Sequence, residues 1–340
     1  MELPGGIGVI VVTYHDDLGE VQGDPALAAL LAAPRALTPF DRLEWWRNLA
    51  DTCGLQPLIA VSSNGVDRFV LPLMRMGREL AGLQNWYTFR LAAVSSTTPP
   101  RDDLAGALAW DLTARTGRVV LEKLGKDDAI VLQSAFRRAG WMVWCDQVDT
   151  NHRLQVGGRG FPQYLRGRAG NLRTTLKRKS GKLKIRMFRN FDNQSYELYE
   201  NIYRESWKPP EGSPAFLRRF AEEEGAAGRL LMGLAFDGDR PVAAQLWSVE
   251  NGTAFIHKLA HLDDAGHLSP GSVLTAALLE EVIDRDKVAE VDFGTGNDPF
   301  KRDWMNMQRP LFRLDIVRPL RPGNWPIIAR HALRRAAGRG

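Results

Sequence analysis

Apolar side chains in the second half of the chain recur at the spacings of regular secondary structure. Tyr196, Tyr199 and Tyr203 repeat at helical spacing and predict a helix. Asp-Gly at 237–238 and Asn-Gly at 251–252 separate the next apolar runs, and these dipeptides are strong signals of short hairpins. The elements predicted downstream are three strands, a helix, a strand, a short helix and a last strand, at 230–236, 242–249, 254–262, 270–284, 288–294, 298–305 and 311–317.

The first half predicts a mixture of strands and helices. Its predicted strands are 7–14, 57–61, 69–74, 119–124 and 141–145. Its predicted helices are 25–33, 43–53, 105–112 and 127–139. The two halves show no repeat at the level of sequence, but both predict an α/β (α+β) fold.

Length and composition indicate a globular protein of two domains. At 340 residues, with 44% hydrophobic and 25% charged residues, the chain fits two domains of roughly 150 residues each. The two cysteines, Cys53 and Cys145, form neither a disulfide framework nor a metal cluster, which favours a reducing compartment. No apolar run reaches 18 residues, and the first apolar segment reads as a strand rather than a signal peptide. We therefore expect a cytoplasmic protein that does not span a membrane.

A change in charge marks the predicted domain boundary. The net charge of +5 favours anionic partners, and residues 163–191 contain ten Lys or Arg residues and no acid. We place the domains at 1–155 and 156–318, followed by a basic amphipathic tail at 319–340. In the basic segment, the residues predicted to bind an anion or partner are Arg173, Lys177, Arg178 and Lys179. A solvated helix face is the alternative. The tail is expected either to lie on an anionic membrane or to be a frayed end.

A helix start after the third strand of the second half predicts an anion site. Ser269 is a preferred N-cap, and Pro270 suits the first helical position. Gly271 lets a ligand approach the backbone closely, and the amides of Gly271, Ser272 and Val273 would point outward at the positive end of the helix dipole. The alternative is a well-capped helix with no ligand.

Two further groups of residues are candidates for acid–base chemistry. Asp292 ends a predicted strand and Lys301 follows shortly, so the pair would either orient an amine or form a structural ion pair. Strand alternation would place His257 and His261 on one face and Lys258 on the other. We predict no metal site there, because no third ligand is evident. His257 is the favoured general base, since an imidazole titrates near neutral pH.

Several short motifs in order make the chain resemble the BioF2-like acetyltransferase family (the CelD/BcsL type) of the GNAT superfamily, which is related to the Fem-type transferases. The matching segments are NLRTTLKRK at 171–179, SW at 206–207, DGDRPVAA at 237–244, SPG at 269–271, DFG at 292–294 and FKRDW at 300–304. The first half contributes PF at 39–40, WW at 45–46 and VLPL at 70–73.

This resemblance implies tandem GNAT-like domains, each a mixed and largely antiparallel sheet flanked by helices. It implies an N-acyltransferase with no permanently bound cofactor, whose donor is acyl-CoA or acyl carrier protein and whose acceptor is an amine. The family's link to envelope chemistry suggests acceptors in exopolysaccharide assembly or sphingoid-base (ceramide) N-acylation. Lys301 resembles a site lysine of Fem-type enzymes. No nucleic-acid partner is expected, although aminoacyl-tRNA-dependent transfer and a non-catalytic lipid- or polysaccharide-binding protein stay open as alternatives.

Overall fold

The computed structural model describes residues 9–296 and 298–337. Within them the strands are β1 (Val11–His15), β2 (Pro57–Ser63), β3 (Arg68–Met76), β4 (Glu79–Gly82), β5 (Val94–Ser95), β6 (Arg118–Leu124), β7 (Met142–Gln155), β8 (Lys184–Phe188), β9 (Leu230–Asp237), β10 (Arg240–Glu250), β11 (Thr253–His261), β12 (Glu290–Thr295) and β13 (Met307–Val317). The helices are α1 (Leu18–Gly23), α2 (Pro25–Leu30), α3 (Leu43–Cys53), α4 (Asp102–Arg115), α5 (Lys126–Arg138), α6 (Phe161–Arg166), α7 (Gly170–Lys179), α8 (Asn193–Glu205), α9 (Pro214–Ala226), α10 (Pro270–Glu280), α11 (Pro299–Trp304) and α12 (Trp325–Ala337).

The chain divides into two compact units. The first contains the residues up to Asp149 together with those from Pro310 onward, and the second contains 150–309. These units are divided at 149/150 and 309/310, whereas the predicted domains are 1–155 and 156–318, and the last strand and the tail group with the first unit. Long β7 and β13 each pass from one unit to the other, which explains why no loop marks the division.

The first unit is a largely antiparallel sheet covered by helices. Its strand order is β1-β2-β3-β4-β6-β13-β7, with β5 paired to β3 and a parallel pair between β4 and β6. Its core is formed where α4 and α5 bury leucine and phenylalanine side chains against β2, β3 and β6. Burial of that apolar surface is the main favourable term in the folding of the unit.

The second unit is built on strands in the order β7-β12-β11-β10-β9-β8. β8 to β11 are antiparallel neighbours, while β12 pairs parallel to β11 and antiparallel to the end of β7. α10 packs on one face, where Gln245 of β10 donates to the carbonyl of Gly271 over 3.2 Å. α8 and α9 cover the opposite face, where Ser248 contacts His257 and His257 in turn contacts Phe220 of α9.

The hairpin that joins β10 to β11 confirms the turn prediction. Asn251 and Gly252 form a two-residue loop and both have positive φ, at 48° and 72°. That geometry belongs to the turn whose twist matches the flanking strands, and Asn and Gly tolerate it best. Together with the strand orders and flanking helices of the two units, this confirms the predicted class, an α/β fold with largely antiparallel sheets flanked by helices.

Several predicted bounds shift by a few residues, and two predicted elements differ from the observed ones in other ways. The strand predicted at 141–145 continues through β7 to Gln155, because its later residues pair with β12. The helix predicted at 270–284 is α-helical only to Glu280 and ends in a single π-helical turn, Glu281–Arg285. The predicted first strand begins at Ile7, which lies outside the described residues.

Candidate functional site

A gap between β11 and β12 is the central feature of the second unit. The two strands pair through three residues, from Thr253 with Glu290 to Phe255 with Asp292. β11 then continues to His261, and within the described residues no further pair joins it to β12. Backbone amides of β11 that would face β12 past this point therefore lack a strand partner, so they can donate to a bound group.

The N-terminus of α10 lies beside the same strand. Pro270 opens the helix and has no N–H, so the second and third residues, Gly271 and Ser272, supply the amides with no partner inside the helix. The amide of Val273 donates to the carbonyl of Ser269 over 3.1 Å, as the first hydrogen bond of the helix. The predicted set of three outward amides is thus reduced to two.

Gly271 packs closely against β11. A Cβ at this position would lie 3.2 Å from Cδ2 of His261 and 3.8 Å from Cδ2 of Leu259. Its carbonyl also accepts a hydrogen bond from Thr275 over 2.8 Å. The prediction that the missing side chain makes room for a ligand is corrected, because the space is occupied by β11.

Ser269 brings the basic segment to the start of α10. Its backbone is left-handed, with φ 52° and ψ 50°, and its side chain makes no capping bond in the described chain, contrary to the prediction. Instead, its Oγ accepts a hydrogen bond from Nζ of Lys179 over 2.8 Å. A cation at the positive end of a helix dipole is unfavourable by itself, so this arrangement favours an anion between them.

The other basic residues of α7 face solvent. Leu172 and Leu176 are buried and fix the helix to the unit, while Arg173, Lys177 and Arg178 are exposed. Among the described residues, these three side chains form no ion pair. The predicted anion-binding residues therefore separate into Lys179, which lies at the α10 terminus, and three exposed charges.

His257 lies in a β-bulge, which changes the predicted facing of β11. Leu246 of β10 pairs with Lys258 and Trp247 pairs with Ile256, so His257 is the extra residue. Its Nε2 lies 2.8 Å from Oγ of Ser248, and its ring packs edge-on to Phe220 at 4.7 Å.

The bulge reverses one sequence prediction. His257 and Lys258 both face α8 and α9, whereas Leu259 and His261 face α10. The predicted face shared by His257 and His261 is therefore wrong, because simple alternation fails at a bulge. The ring of His261 lies instead 4.2 Å from that of Trp207.

Asp292 is buried in a network at the end of β12. Its Oδ1 accepts from Nδ2 of Asn151 over 2.7 Å and from the amide of Gly294 over 2.8 Å. Nε of Arg153 lies 3.5 Å from its Oδ2, and Arg153 also pairs with Glu290. These contacts hold the turn after β12, and they support a structural role for Asp292, which the sequence left open.

Lys301 lies close to the same turn but has different contacts. Its Nζ donates to the carbonyl of Thr295 and lies 5.5 Å from the centre of the Phe293 ring. The side chains of Asp292 and Lys301 both contact the end of β12, where the gap from β11 opens.

A cluster of polar side chains on the α8 face was not predicted from the sequence. Oε1 of Glu211 accepts a hydrogen bond from Nζ of Lys258 over 3.0 Å, and Oε2 lies 2.7 Å from the same atom as an ion pair. Nζ of Lys258 lies 5.2 Å from the ring centre of Tyr203. Burial raises the pKa of Tyr203 to about 12, with the neighbouring Glu211 adding to the shift. Burial lowers the pKa of Lys258, against the opposing effect of Glu211. Glu211 and Lys258 are 47 residues apart, so no local pattern could indicate their contact.

A cavity of about 490 Å³ lies beside this cluster. Its lining includes three tyrosines of α8 and residues before and within α9, among them Tyr196, Tyr199, Tyr203, Lys208, Glu211 and Leu217. Burial lowers the pKa of Lys208, and the neighbouring charge of Lys258 lowers it further.

Comparison with known proteins agrees with this geometry. Residues 166–302 match the family model described as an acetyltransferase (GNAT) domain. The matched residues all lie within the second unit. A search of curated proteins gave no match.

Solved structures resemble the whole chain in fold. FemX has a TM-score of 0.60 at 8% identity, covering 89% of this chain and 96% of that one. The C-terminal domain of a putative lysylphosphatidylglycerol synthetase from Agrobacterium fabrum has a TM-score of 0.57 at 12% identity, covering 93% and 96%. A tandem GNAT protein from the clavulanic acid biosynthesis pathway has a TM-score of 0.52 at 12% identity, covering 90% and 98%. At these identities the likeness shows the fold alone.

Proposed function

We propose that the GNAT domain transfers an acyl group from a CoA or acyl-carrier-protein thioester to an amine. The acceptor would belong to envelope lipid synthesis, such as a sphingoid base, or to polysaccharide synthesis, as in the BioF2-like family. The observation that carries the proposal is the contact of Lys179 with Ser269 at the N-terminus of α10, beside the gap between β11 and β12.

The α10 terminus suits the phosphate groups of the donor. The first-turn amides of Gly271 and Ser272 lie at this terminus, the ammonium of Lys179 contacts Ser269 beside them, and a helix N-terminus favours an anion. Both donor types carry phosphate, as a pyrophosphate in CoA and as a phosphodiester in the carrier arm. With its phosphate at Gly271 and Ser272, the donor's thioester would extend along β11 into the gap.

The proposed reaction is direct transfer. The amine attacks the thioester carbonyl, the C–N bond forms, the C–S bond breaks, and the thiol leaves with a proton. Backbone amides of β11 that face the gap would stabilise the oxyanion of the tetrahedral intermediate. His257 would accept the proton of the amine, and Asp292 would position the end of β12. Lys301 would hold the donor or the developing negative charge.

Aminoacyl transfer from tRNA is the alternative reaction. Fem-type enzymes that use tRNA carry a long helical arm, whereas the segment between Lys208 and Leu230 forms the single helix α9. That observation favours the thioester donor. A protein that binds a lipid or polysaccharide without catalysis is the second alternative.

An anionic membrane or a carrier protein is the proposed docking partner. The exposed Arg173, Lys177 and Arg178 of α7 present unpaired positive charge. In the other unit, Trp325 and Leu333 of α12 are exposed to 60% and 71%, as expected of an interfacial helix. No helix of the described residues has the length and apolar character needed to cross a membrane.

Calorimetry tests the donor assignment. Coenzyme A should bind the wild-type protein, and Lys179→Met should weaken binding by about tenfold or more, the usual effect of losing a charge-assisted hydrogen bond. Lys126→Met, which removes an exposed lysine of the first unit, is the control and should bind normally. Native mass spectrometry of the purified protein would reveal a retained thioester. Equal binding by both variants would refute the site.

A further inference from the structure

The cavity beside α8 has an uneven distribution of charge. Its acidic groups have partners: Glu211 pairs with Lys258 at 2.7 Å, Glu200 pairs with Arg218 at 2.6 Å, and Glu197 accepts from Asn193. Lys208 differs from them, because within the described residues its ammonium forms no ion pair. A half-buried cation with no ion pair in the described residues therefore lines this space.

The surroundings of Lys208 make an anionic ligand favourable. Its Nζ lies 5.6 Å from the ring centre of Trp207, and Lys258 carries a second positive charge nearby. The carboxylates of Glu211 and Asp298 offset part of the repulsion between these two cations, and an added anion would offset it further.

The cavity is on the correct side of the sheet for an acceptor. The bulge turns His257 and Lys258 toward α8 and α9, while the proposed donor phosphates lie at α10 on the opposite face. An amine in the cavity would approach the gap from the face that carries the proposed base. Tyr196, Tyr199 and Leu217 supply an apolar wall for the remainder of such a molecule.

We propose that this cavity binds the acceptor, and that the acceptor is an amine bearing a phosphate or carboxylate group, which Lys208 binds. The inference rests on the proposed function, since it names the substrate class of the same site. Of the acceptors named in the proposed function, it disfavours a free sphingoid base, which carries no phosphate or carboxylate, and favours an amine that carries one. Arg204, exposed on the lining of the cavity, would add to the attraction for the same anion.

Lysine NMR can test this assignment before the physiological acceptor is identified. The chain has ten lysines, so protein labelled with ¹³C at lysine Cε gives a small set of signals, and Lys208→Met assigns the relevant one. The probes are ethanolamine, O-phosphoethanolamine and β-alanine. The two anionic amines distinguish phosphate from carboxylate recognition.

We expect the Lys208 signal to shift saturably with at least one anionic amine, at an affinity at least about tenfold above that for ethanolamine. Lys258 should report the same event. In Lys208→Met the Lys258 response should weaken about tenfold, and in Lys208→Arg it should be largely retained. The Lys126 signal should not move.

The outcomes separate this inference from the donor assignment. An unmoved Lys208 signal, equal responses to ethanolamine and the anionic amines, or a response only at Lys179 would overturn the acceptor proposal. A shift of Lys179 with coenzyme A alongside an unmoved Lys208 would leave the donor site standing. A Lys208 response without any effect of coenzyme A on Lys179 would refute the donor site and support the cavity.

Discussion

Ser272→Glu is the substitution that most sharply separates folding from donor binding. Ser272 is the third residue of α10 and is half-buried. A carboxylate in the first turn of a helix interacts favourably with the helix dipole, by about 0.3–1 kcal/mol. The variant should therefore fold as well as the wild type or slightly better.

The same carboxylate would be placed next to the donor phosphate. One pair of like charges about 4 Å apart costs roughly 1 kcal/mol in water and 4 kcal/mol at an effective dielectric constant of 20. A half-buried site lies between these limits, so we expect a loss of about 2 kcal/mol, which is roughly 30-fold in Kd. Ser272→Gln has the same shape without the charge and should change Kd by less than about threefold.

The assay is calorimetric titration with coenzyme A at low salt, with thermal unfolding measured on the same samples. For Ser272→Glu we expect a raised or unchanged Tm together with weakened binding of coenzyme A. For Ser272→Gln we expect nearly normal binding. Equal affinity of the Glu and Gln variants would refute a phosphate site at this terminus. A lowered Tm for the Glu variant would refute our description of the helix start.

Three further predictions concern the other ionisable groups. Burial raises the pKa of Asp128 to about 6, so the folded state retains a proton on this carboxyl and the free energy of unfolding falls as pH rises from about 4 to 6. Asp128→Asn should therefore raise the free energy of unfolding, measured by urea denaturation, by about 2 kcal/mol at pH 8 but change it little at pH 4. Asp292→Asn should lower Tm more than Lys301→Met, because Asp292 accepts two hydrogen bonds in a buried network; equal effects would contradict that description. His257→Ala should lower the rate of acyl transfer, followed with a thiol reagent that detects the released CoA, by at least about tenfold, while the Kd for coenzyme A is unchanged. A change in Kd alone would argue against a role of His257 as the general base.

Local sequence signals predicted much of the fold. The helix at 43–53 is observed with those bounds, because its apolar spacing ends at Gly54, whose φ of 67° closes it. The hairpin after β10 follows from Asn251 and Gly252, two residues that accept the positive φ of the turn. Such elements depend on neighbouring residues and so can be read from one chain.

Features that depend on distant contacts could not be predicted. The bulge at His257 arises from the register between β10 and β11, and alternation along β11 alone gives the wrong face. The contact between Lys179 and Ser269 joins residues 90 positions apart. Both residues were candidates from the sequence, for an anionic partner and for a donor phosphate, but only the fold brings them to one site.

The role of Gly271 illustrates a related limit. Its missing side chain indicated a close approach, and the structure has one, but the approaching groups are His261 and Leu259 rather than a ligand. A valine at Gly271 would therefore disturb packing as well as binding. Ser272 is the better position for a test, because its side chain is half-exposed.

A crystal structure of the protein with an acyl-CoA tests the central claim most directly. The account predicts donor phosphate oxygens within hydrogen-bond distance of the Gly271 and Ser272 amides and of Lys179 Nζ, with the thioester between β11 and β12. Phosphates bound away from α10, or a thioester outside that gap, would contradict it.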